Sequence, residues 1–350
     1  MRAAVLHSPG DLRIEERPTP TPRDGEVVLS VTYNGLCGTD VTEYTKGPMM
    51  VPLATRHPGS GHLGPTVLGH EFVGEVVGAS SGATEWVGRR VASGAGVSCG
   101  RCPRCLRGRT NLCDRYYTLG LSTDGALADF VAVPAATLRA IPDDCPDVEA
   151  ALAQPLAVGL HAVARAGISP GDVVVLIGAG AIGSFILAGL AGHDGRVIAV
   201  DVDPARLAAA RTLGATETCL VTADDPVGPV RELVPDGADV VIEGSGVQGA
   251  AQNAIALTAR GGSVLLVGLT KTPQSLQLAD LVLREISVRS TVAHVCDVDL
   301  PRALELLTAR PLSALLVDRV VPLERIVDDA LDPLAAGRLG GKVLVSPRHG

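Results

Sequence analysis

The sequence predicts an α/β protein that combines a β-rich part with a doubly wound parallel sheet. Its 350 residues exceed the usual size of one domain, about 100 to 200 residues, so we expect two domains. Short apolar runs separated by Gly and Pro fill the first part, whereas strand-like and helix-like runs alternate from about residue 173. Only 2% of the residues are aromatic, so aliphatic side chains must supply most of the core.

The elements follow two different rhythms along the chain. Up to about residue 152 the pattern predicts short strands between turns, at 26–32, 71–78, 89–92 and 128–133. Beyond it, the predicted strands are 173–177, 196–200, 240–242 and 264–267, and the predicted helices are 181–191, 204–213 and 248–257. This alternation is typical of βαβ units around a parallel sheet. A helix near 299–308 and an apolar run at 342–345 follow.

Composition and charge exclude several function classes. A net charge of −8 repels polyanions, so nucleic acid is an unexpected partner. The N-terminal residues lack the pattern of a secretory signal, which favours a cytoplasmic protein. Residues 173–192 carry no charge, but their glycines predict a strand, a turn and a helix rather than one membrane span. In such a compartment the eight cysteines are more typical of metal binding than of disulfides.

A glycine motif marks the first turn of the alternating region. Gly178, Gly180, Ile182 and Gly183 follow the apolar run 173–177 and open a helix. In this setting the first glycine makes a tight turn, the second lets the backbone approach a pyrophosphate, and the third lets helix pack on strand. The helix N-terminus adds free N–H groups and partial positive charge. We therefore predict a Rossmann-type dinucleotide site.

An acidic residue stands eighteen positions after the last of these glycines. Asp201 ends the next predicted strand, where its carboxylate would accept hydrogen bonds from both ribose hydroxyls and repel a 2′-phosphate. NAD is therefore favoured over NADP. Arg206 lies near enough to reach the adenosine end of the cofactor, although an exposed helix arginine is an equally good interpretation.

Four cysteines lie within fifteen residues. Cys99, Cys102, Cys105 and Cys113 are interspersed with glycine and proline residues that can bend the chain. Four thiolates at about 2.3 Å complete a tetrahedron around Zn²⁺ and leave no position for water or substrate. We therefore predict a structural zinc in a lobe at about residues 96–115. Reduced loop cysteines or a redox pair are the alternative interpretation.

Two further motifs are weak when each is taken alone. Cys37 is followed by Gly-Thr-Asp, and His70 and Glu71 follow a glycine. A lone cysteine is usually buried filler, and Gly-His-Glu is usually a turn. However, these motifs, the cysteine lobe and the glycine motif come in the order of the zinc-dependent medium-chain dehydrogenases/reductases. The chain resembles this superfamily over nearly its whole length.

Within that superfamily the chain is most similar to the 2,3-butanediol and sorbitol (polyol) dehydrogenase branch. The similarity rests on Glu43-Tyr44, Gly47-Pro48, the long insert 51–65 and the segment from Gln154 to His161. The resemblance implies that Cys37 and His70 hold a catalytic zinc. It further implies that Glu71 is a close carboxylate that ligates the zinc in some states and that Gln154 takes the remaining ligand position.

The resemblance assigns roles to two more residues and to the domains. Thr39 would accept the hydroxyl proton of the substrate, and Asp40 would accept a hydrogen bond from the other ring nitrogen of His70. A GroES-like catalytic domain would comprise residues 1–152 and 296–350, and a Rossmann domain would comprise residues 153–295. Leu269, after a predicted strand, would meet the cofactor through its backbone. Such proteins form homodimers or homotetramers.

Two residues depart from the pattern of this branch. Gln154 stands where the branch usually has Glu, and a neutral amide pulls less on zinc and cannot act as a base. Thr42 stands where the branch usually has a His that passes the proton towards solvent, which Thr cannot do near neutral pH. The proton then leaves through water and a cofactor ribose hydroxyl, or turnover is slow, or the substrate brings its own route.

The sequence therefore predicts a zinc-dependent, NAD-linked dehydrogenase. It would interconvert a secondary alcohol, either a vicinal diol or a polyol, and its ketone by hydride transfer. One alternative is a zinc oxidoreductase of specialised metabolism that acts on a larger aminocyclitol, sugar or enal. Another is a nucleotide-binding protein that has lost its catalytic metal, and the retained Cys37, His70 and Glu71 argue against it.

Overall fold

A computed structural model describes residues 1–270 and 272–347. The described chain forms two compact units. The first comprises Met1–Ala157 and the residues from His294 onward, and the second comprises Val158–Ala293. The sequence-based domain limits at residues 152 and 296 stay a prediction, and residues 348–350 of the predicted first domain lie outside the described part of the chain.

Strands dominate the first unit, and strands alternate with helices in the second. The strands are β1 (Arg2–Ser8), β2 (Asp11–Glu16), β3 (Glu26–Gly35), β4 (Thr66–Val67), β5 (Glu71–Ala79), β6 (Arg90–Ser93), β7 (Gly96–Val97), β8 (Tyr117–Thr118), β9 (Phe130–Pro134), β10 (Leu138–Ala140), β11 (Val174–Ile177), β12 (Val197–Asp201), β13 (Glu217–Leu220), β14 (Ala238–Glu243), β15 (Thr258–Leu266), β16 (Ser287–Ser290), β17 (Val317–Pro322) and β18 (Lys342–Ser346). The helices are α1 (Gly38–Lys46), α2 (Asp147–Ala150), α3 (Ala153–Ala166), α4 (Ala181–Leu190), α5 (Pro204–Leu213), α6 (Gly228–Leu233), α7 (Ala250–Leu257), α8 (Leu278–Leu283), α9 (Cys296–Ala309), α10 (Ser313–Leu316) and α11 (Asp332–Ala335).

A seven-stranded sheet organises the first unit. Its strand order is β10-β6-β5-β3-β18-β17, and β9 also pairs with β3. The C-terminal β18 runs antiparallel to β3 and parallel to β17, so the tail of the chain completes a sheet begun near its start. Aliphatic side chains such as Leu29, Val76 and Val343 fill the core of this unit with almost no exposure. The sheet brings the start of β5 and the start of β18 to the two sides of β3.

A six-stranded parallel sheet organises the second unit. Its order is β13-β12-β11-β14-β15-β16, and each pair of neighbours is parallel. The strand order reverses between β11 and β14, which makes the carboxyl ends of these strands the expected ligand-binding edge. The predicted α/β class, with a β-rich part and a doubly wound parallel sheet, is confirmed.

The uncharged stretch 173–192 forms β11 and α4 joined by a glycine turn, as its glycines predict. Of the helices in the described chain, none is long and apolar enough to cross a membrane. The apolar patterns missed β16 because all four of its residues are exposed and show no alternation. They also placed the start of the last long helix three residues late, since α9 begins at Cys296 and carries Pro301 in its interior.

Candidate metal centres and cofactor site

The four-cysteine lobe brings its thiol groups together. The Sγ atoms of Cys99, Cys102, Cys105 and Cys113 all lie within 4.8 Å of one another. Cys105 opens a 3₁₀ turn that ends at Gly108, which adopts the left-handed φ of 72° that favours glycine. This turn and a second one before Cys113 fold the short segment back on itself. Such a closed set of four sulfur donors fits a tetrahedral Zn²⁺.

Backbone N–H groups point at the sulfurs of this lobe. Cys113 Sγ accepts hydrogen bonds from the N–H of Cys99, at 3.2 Å, and from that of Arg115, at 3.3 Å. The backbone N–H of Cys105 lowers the pKa of the Cys102 thiol to about 6. Burial raises the pKa of the Cys105 thiol to about 11. Donation to sulfur favours the thiolate, the form that ligates a metal.

The second group is built around the start of α1. Cys37 is the N-cap residue of this helix, and its backbone N–H donates to Asp40 Oδ2 at 2.9 Å. This local bond satisfies a free helix N–H and fixes Cys37 relative to the first turn. Thr39 Oγ1 lies 3.7 Å from Cys37 Sγ, and Thr42 lies half-buried one turn further along α1. A thiol, a hydroxyl and a buried carboxylate therefore share one helix end.

The sheet register brings the Gly-His-Glu segment to this helix end. Glu71 opens β5 opposite Gly35 of β3, two residues before Cys37. His70 precedes the strand and follows Gly69, whose φ of 101° favours glycine. A Cβ at Gly69 would lie 2.7 Å from the Leu127 backbone N, so a larger residue would displace the segment. The ligand atoms of Cys37, His70 and Glu71 all lie within 4.8 Å of one another.

His70 faces a buried acid. Its Nδ1 lies 3.4 Å from Asp40 Oδ1, an ion-pair contact that is long for a hydrogen bond. Both atoms are buried, and within residues 1–270 and 272–347 neither makes a hydrogen bond. Burial lowers the pKa of His70, but Asp40 and Cys37 together raise it by more through their charges and hydrogen-bonding contacts, so this pKa lies well above 6.5. A metal at the other ring nitrogen would deprotonate the ring and leave Nδ1–H to point at the acid.

A residue that the sequence patterns missed completes this group. Lys342, at the start of β18, is only 7% exposed, and its Nζ donates to Glu71 Oε2 at 2.7 Å and Oε1 at 3.0 Å. It also donates to the Leu36 carbonyl at 3.1 Å. Burial lowers the pKa of Lys342, but the charges of Glu71, Cys37 and Asp40 raise it by more. The negative charge of Glu71 is therefore already compensated.

The donors of this second group are of the types that bind zinc, and they leave one coordination position of the metal open. Thiolate sulfur, imidazole nitrogen and carboxylate oxygen are all zinc ligands, and a catalytic zinc keeps one position for water or substrate. Lys342 already holds Glu71 in a salt bridge, so Cys37 and His70 are the two donors better placed to bind the metal. Gln154 lies half-buried in the first turn of α3. Its assignment as a ligand stays a prediction.

The glycine motif has the geometry that dinucleotide binding requires. Gly178 follows β11 and has a φ of 92°, and Gly180 is the N-cap residue of α4. A Cβ at Gly183 would lie 1.9 Å from the Gly178 carbonyl oxygen, so only glycine lets α4 approach the strand this closely. Ile182 lies half-buried in the first turn of α4. The N-terminus of α4 therefore lies at the carboxyl end of β11. Folds of this kind bind the pyrophosphate of a dinucleotide at this position.

Asp201 has a structural role besides the one its position predicts. Its Oδ2 accepts the N–H of Ala179 at 2.8 Å, and its Oδ1 accepts the N–H of Asp203 at 3.0 Å. The carboxylate thus ties the end of β12 to the glycine turn. Arg206 Nη1 lies 3.7 Å from Asp201 Oδ1, with its side chain 44% exposed. Leu269, after β15, is 84% exposed, and its backbone role stays a prediction.

Comparison with known proteins links these sites to one family. A model of the alcohol dehydrogenase GroES-like domain matches residues 23–143, and a model described as zinc-binding dehydrogenase matches residues 181–309. The first match confirms the GroES-like class predicted for the β-rich part. The sorbitol dehydrogenase of Bacillus subtilis (strain 168) is 36% identical over 273 residues, which cover 77% of this chain and 75% of that protein.

Two solved structures are similar over almost their entire length. The crystal structure of 2R,3R-butanediol dehydrogenase from Bacillus subtilis has a TM-score of 0.90 at 28% identity and covers 99% of both chains. A zinc-binding dehydrogenase from Sinorhizobium meliloti 1021, bound to NADP, has a TM-score of 0.85 at 30% identity, again over 99% of both chains.

Proposed function

Since this chain belongs to the zinc-type medium-chain alcohol dehydrogenases, which are nicotinamide-dependent oxidoreductases, we propose that it interconverts a vicinal diol or polyol and the corresponding ketone. The open group of Cys37, His70 and Glu71 carries the proposal, because three zinc donors of mixed chemistry are held together beside a hydroxyl that can take a proton. The names of the sorbitol and butanediol dehydrogenases support the substrate class.

In this proposal Cys37 and His70, with Gln154, hold the catalytic metal. If bound there, zinc would polarise the substrate hydroxyl and lower its pKa, and NAD would accept the hydride from the carbon that bears this hydroxyl. Asp40 fixes Cys37 through the backbone and orients the His70 ring through Nδ1. Thr39 Oγ1 takes the hydroxyl proton of the substrate, because it lies 3.7 Å from the metal-binding sulfur.

The route of the proton beyond Thr39 follows from Thr42. A threonine hydroxyl relays a proton only while it donates another, and it cannot store one near pH 7. We therefore propose that water takes the proton beyond Thr39, and that a ribose hydroxyl of bound NAD would take part in this relay. The reaction then shows no titration of an enzyme imidazole at position 42.

The same proposal includes NAD as the preferred cofactor. Asp201 is 7% exposed at the end of β12, and its negative charge opposes a 2′-phosphate. Arg206 lies near enough to offset part of that charge, so the preference for NAD over NADP is expected to be moderate. We further propose that the protein is cytoplasmic, since its thiols stay reduced there. We also propose that it forms a homodimer or a homotetramer, and light scattering of the purified protein tests this assembly.

Steady-state oxidation assays test the proposed reaction. NADH formation is followed with butane-2,3-diol, with sorbitol and with butan-2-ol, which lacks the second hydroxyl. We expect a kcat/KM at least about tenfold higher for the diol or the polyol than for butan-2-ol, the gain from one bound hydroxyl. Equal rates for all three alcohols would contradict the substrate class. If none of the three alcohols is oxidised but an aminocyclitol or an enal is turned over, the alternative of a larger substrate would be favoured.

A further inference from the structure

The second unit contains a buried carboxylate that the proposed reaction does not use. Glu243 is the last residue of β14, the strand next to β11 at the point where the strand order reverses, and it is 1% exposed. Burying a carboxylate costs free energy unless strong donors compensate it. The charge of Glu243 must therefore be compensated by donors close to it.

Three donors converge on one oxygen of this carboxylate. Glu243 Oε1 accepts the backbone N–H of Ser245 at 2.7 Å, the Ser245 hydroxyl at 2.6 Å and the backbone N–H of Gly246 at 2.8 Å. The backbone carbonyl of Glu243 also accepts the N–H groups of Val267, at 2.9 Å, and Gly268, at 3.0 Å. One residue thus binds both the segment after β14 and the segment after β15.

Close backbone approaches connect these two segments to the glycine turn. A Cβ at Gly178 would lie 2.9 Å from the Cβ of Ser245, so the residue that Glu243 holds packs directly on the first glycine of the motif. A Cβ at Gly268 would lie 2.2 Å from Gly246 N and 2.7 Å from Glu243 Oε2. The segments 178–183, 244–246 and 267–269 therefore form one packed edge around a single carboxylate.

We propose that Glu243 is a positioning residue for the dinucleotide, because it sets the shape of the edge on which the cofactor lies. This edge is made by the carboxyl ends of β11, β14 and β15, the place where parallel sheets of this order bind their ligands. The inference rests on the proposed function only through the cofactor. It does not depend on which alcohol reacts.

The first unit offers a matched control for a purely structural role. Glu149 is also buried, at 4% exposure, and accepts the backbone N–H groups of Leu312 and Ser313 and the Ser313 hydroxyl. Its donors are the same in kind and number as those on Glu243 Oε1, but it lies on α2, outside the unit that carries the glycine motif. A Glu→Gln change at either position removes the same charge from the same kind of environment.

Titration of NADH into the zinc-loaded full chain tests the inference. The Kd from NADH fluorescence and the Tm are measured for wild type, Glu243→Gln and Glu149→Gln. We expect Glu243→Gln to raise the Kd at least about tenfold, the equivalent of one charge-assisted hydrogen bond, and Glu149→Gln to change it less than about twofold. With saturating NAD, kcat of Glu243→Gln should stay within about twofold of wild type, so the loss appears in KM for NAD.

The outcomes separate this inference from the proposed reaction. If Glu243→Gln lowers the Tm as much as Glu149→Gln but leaves the NADH Kd within about twofold, the role is structural and the inference fails. If both variants weaken the binding of NADH equally, the inference fails as well. Should Glu243→Gln not fold, Ser245→Ala keeps the charge, removes one donor and is expected to raise the Kd by a few-fold. A wild type that binds NADH but oxidises no diol would overturn only the proposed substrate.

Discussion

The two candidate metal centres lie in the same unit, yet they are assembled in opposite ways. The cysteine lobe draws four identical donors from fifteen consecutive residues, and turns and N–H···S bonds hold it together. The other centre draws three different donors from a helix end and a strand start, and a lysine 271 residues away in sequence neutralises one of them. A saturated local set suits structure, and an unsaturated set built by the fold suits chemistry.

The two centres also differ in the amount of negative charge that would surround a bound zinc. Four thiolates would surround a zinc in the lobe with excess negative charge, which makes the ion a poor acceptor for a further ligand. In the open centre the buried Lys342 compensates the charge of Glu71, so a zinc bound there would meet less uncompensated negative charge than one in the lobe. A zinc held there keeps more of its positive charge for a substrate oxygen.

Removal of a donor from the open centre should have the largest effect on activity. For Cys37→Ala we expect kcat/KM to fall at least about 10³-fold, because the Lewis acid is worth several kcal/mol of transition-state stabilisation. Zinc analysis should show one ion per chain instead of two, while the NADH Kd and the thermal unfolding of the second unit stay unchanged. Persistence of wild-type turnover in a variant with one zinc would contradict the division of roles.

Removal of a donor from the lobe should instead act on stability. For Cys102→Ser we expect the free energy of unfolding to fall by several kcal/mol, because structural zinc contributes about 10 kcal/mol or more of binding free energy to folding and three thiolates hold it less tightly than four. Limited trypsin digestion reports the lobe directly, because Arg101, Arg104 and Arg107 become cleavable when it opens. Cys145→Ala, a buried cysteine outside both centres, is the control that should keep both zinc ions. An unchanged digestion pattern in Cys102→Ser would show that the lobe folds without metal.

How much of each centre could be predicted from the sequence depends on how local it is. The spacing of the four cysteines is enough to predict the lobe, and the glycines with Asp201 are enough to predict the dinucleotide edge. Cys37 and His70 are single residues in ordinary turns. Only the resemblance of the whole chain to a known family assigns them to the same metal site. The register Gly35 to Glu71 across β3 and β5 is the physical reason for their proximity.

Other features depend on long-range pairing and were invisible in the sequence. Lys342 begins an apolar run that predicts a strand, but nothing in that run indicates that β18 lies beside β3. The clustering of Glu243 with Ser245, and its contact with the turn at Gly178, likewise follow from neighbouring strands. A buried charge within an apolar run is the one signal that could have found Lys342, since it requires a buried partner.

Removal of the cation at the open centre should give the smallest of these effects and tests why that centre stays open. In Lys342→Met, Glu71 loses its buried partner. We therefore expect the free energy of unfolding of the metal-free chain to fall by about 3 kcal/mol. The double variant Lys342→Met/Glu71→Gln removes both charges and should recover most of that loss. With zinc present, the released Glu71 becomes a further anionic ligand, so zinc should leave to a chelator more slowly and turnover should fall. A double variant no more stable than Lys342→Met would mean that the charge of Glu71 was never what the lysine compensates.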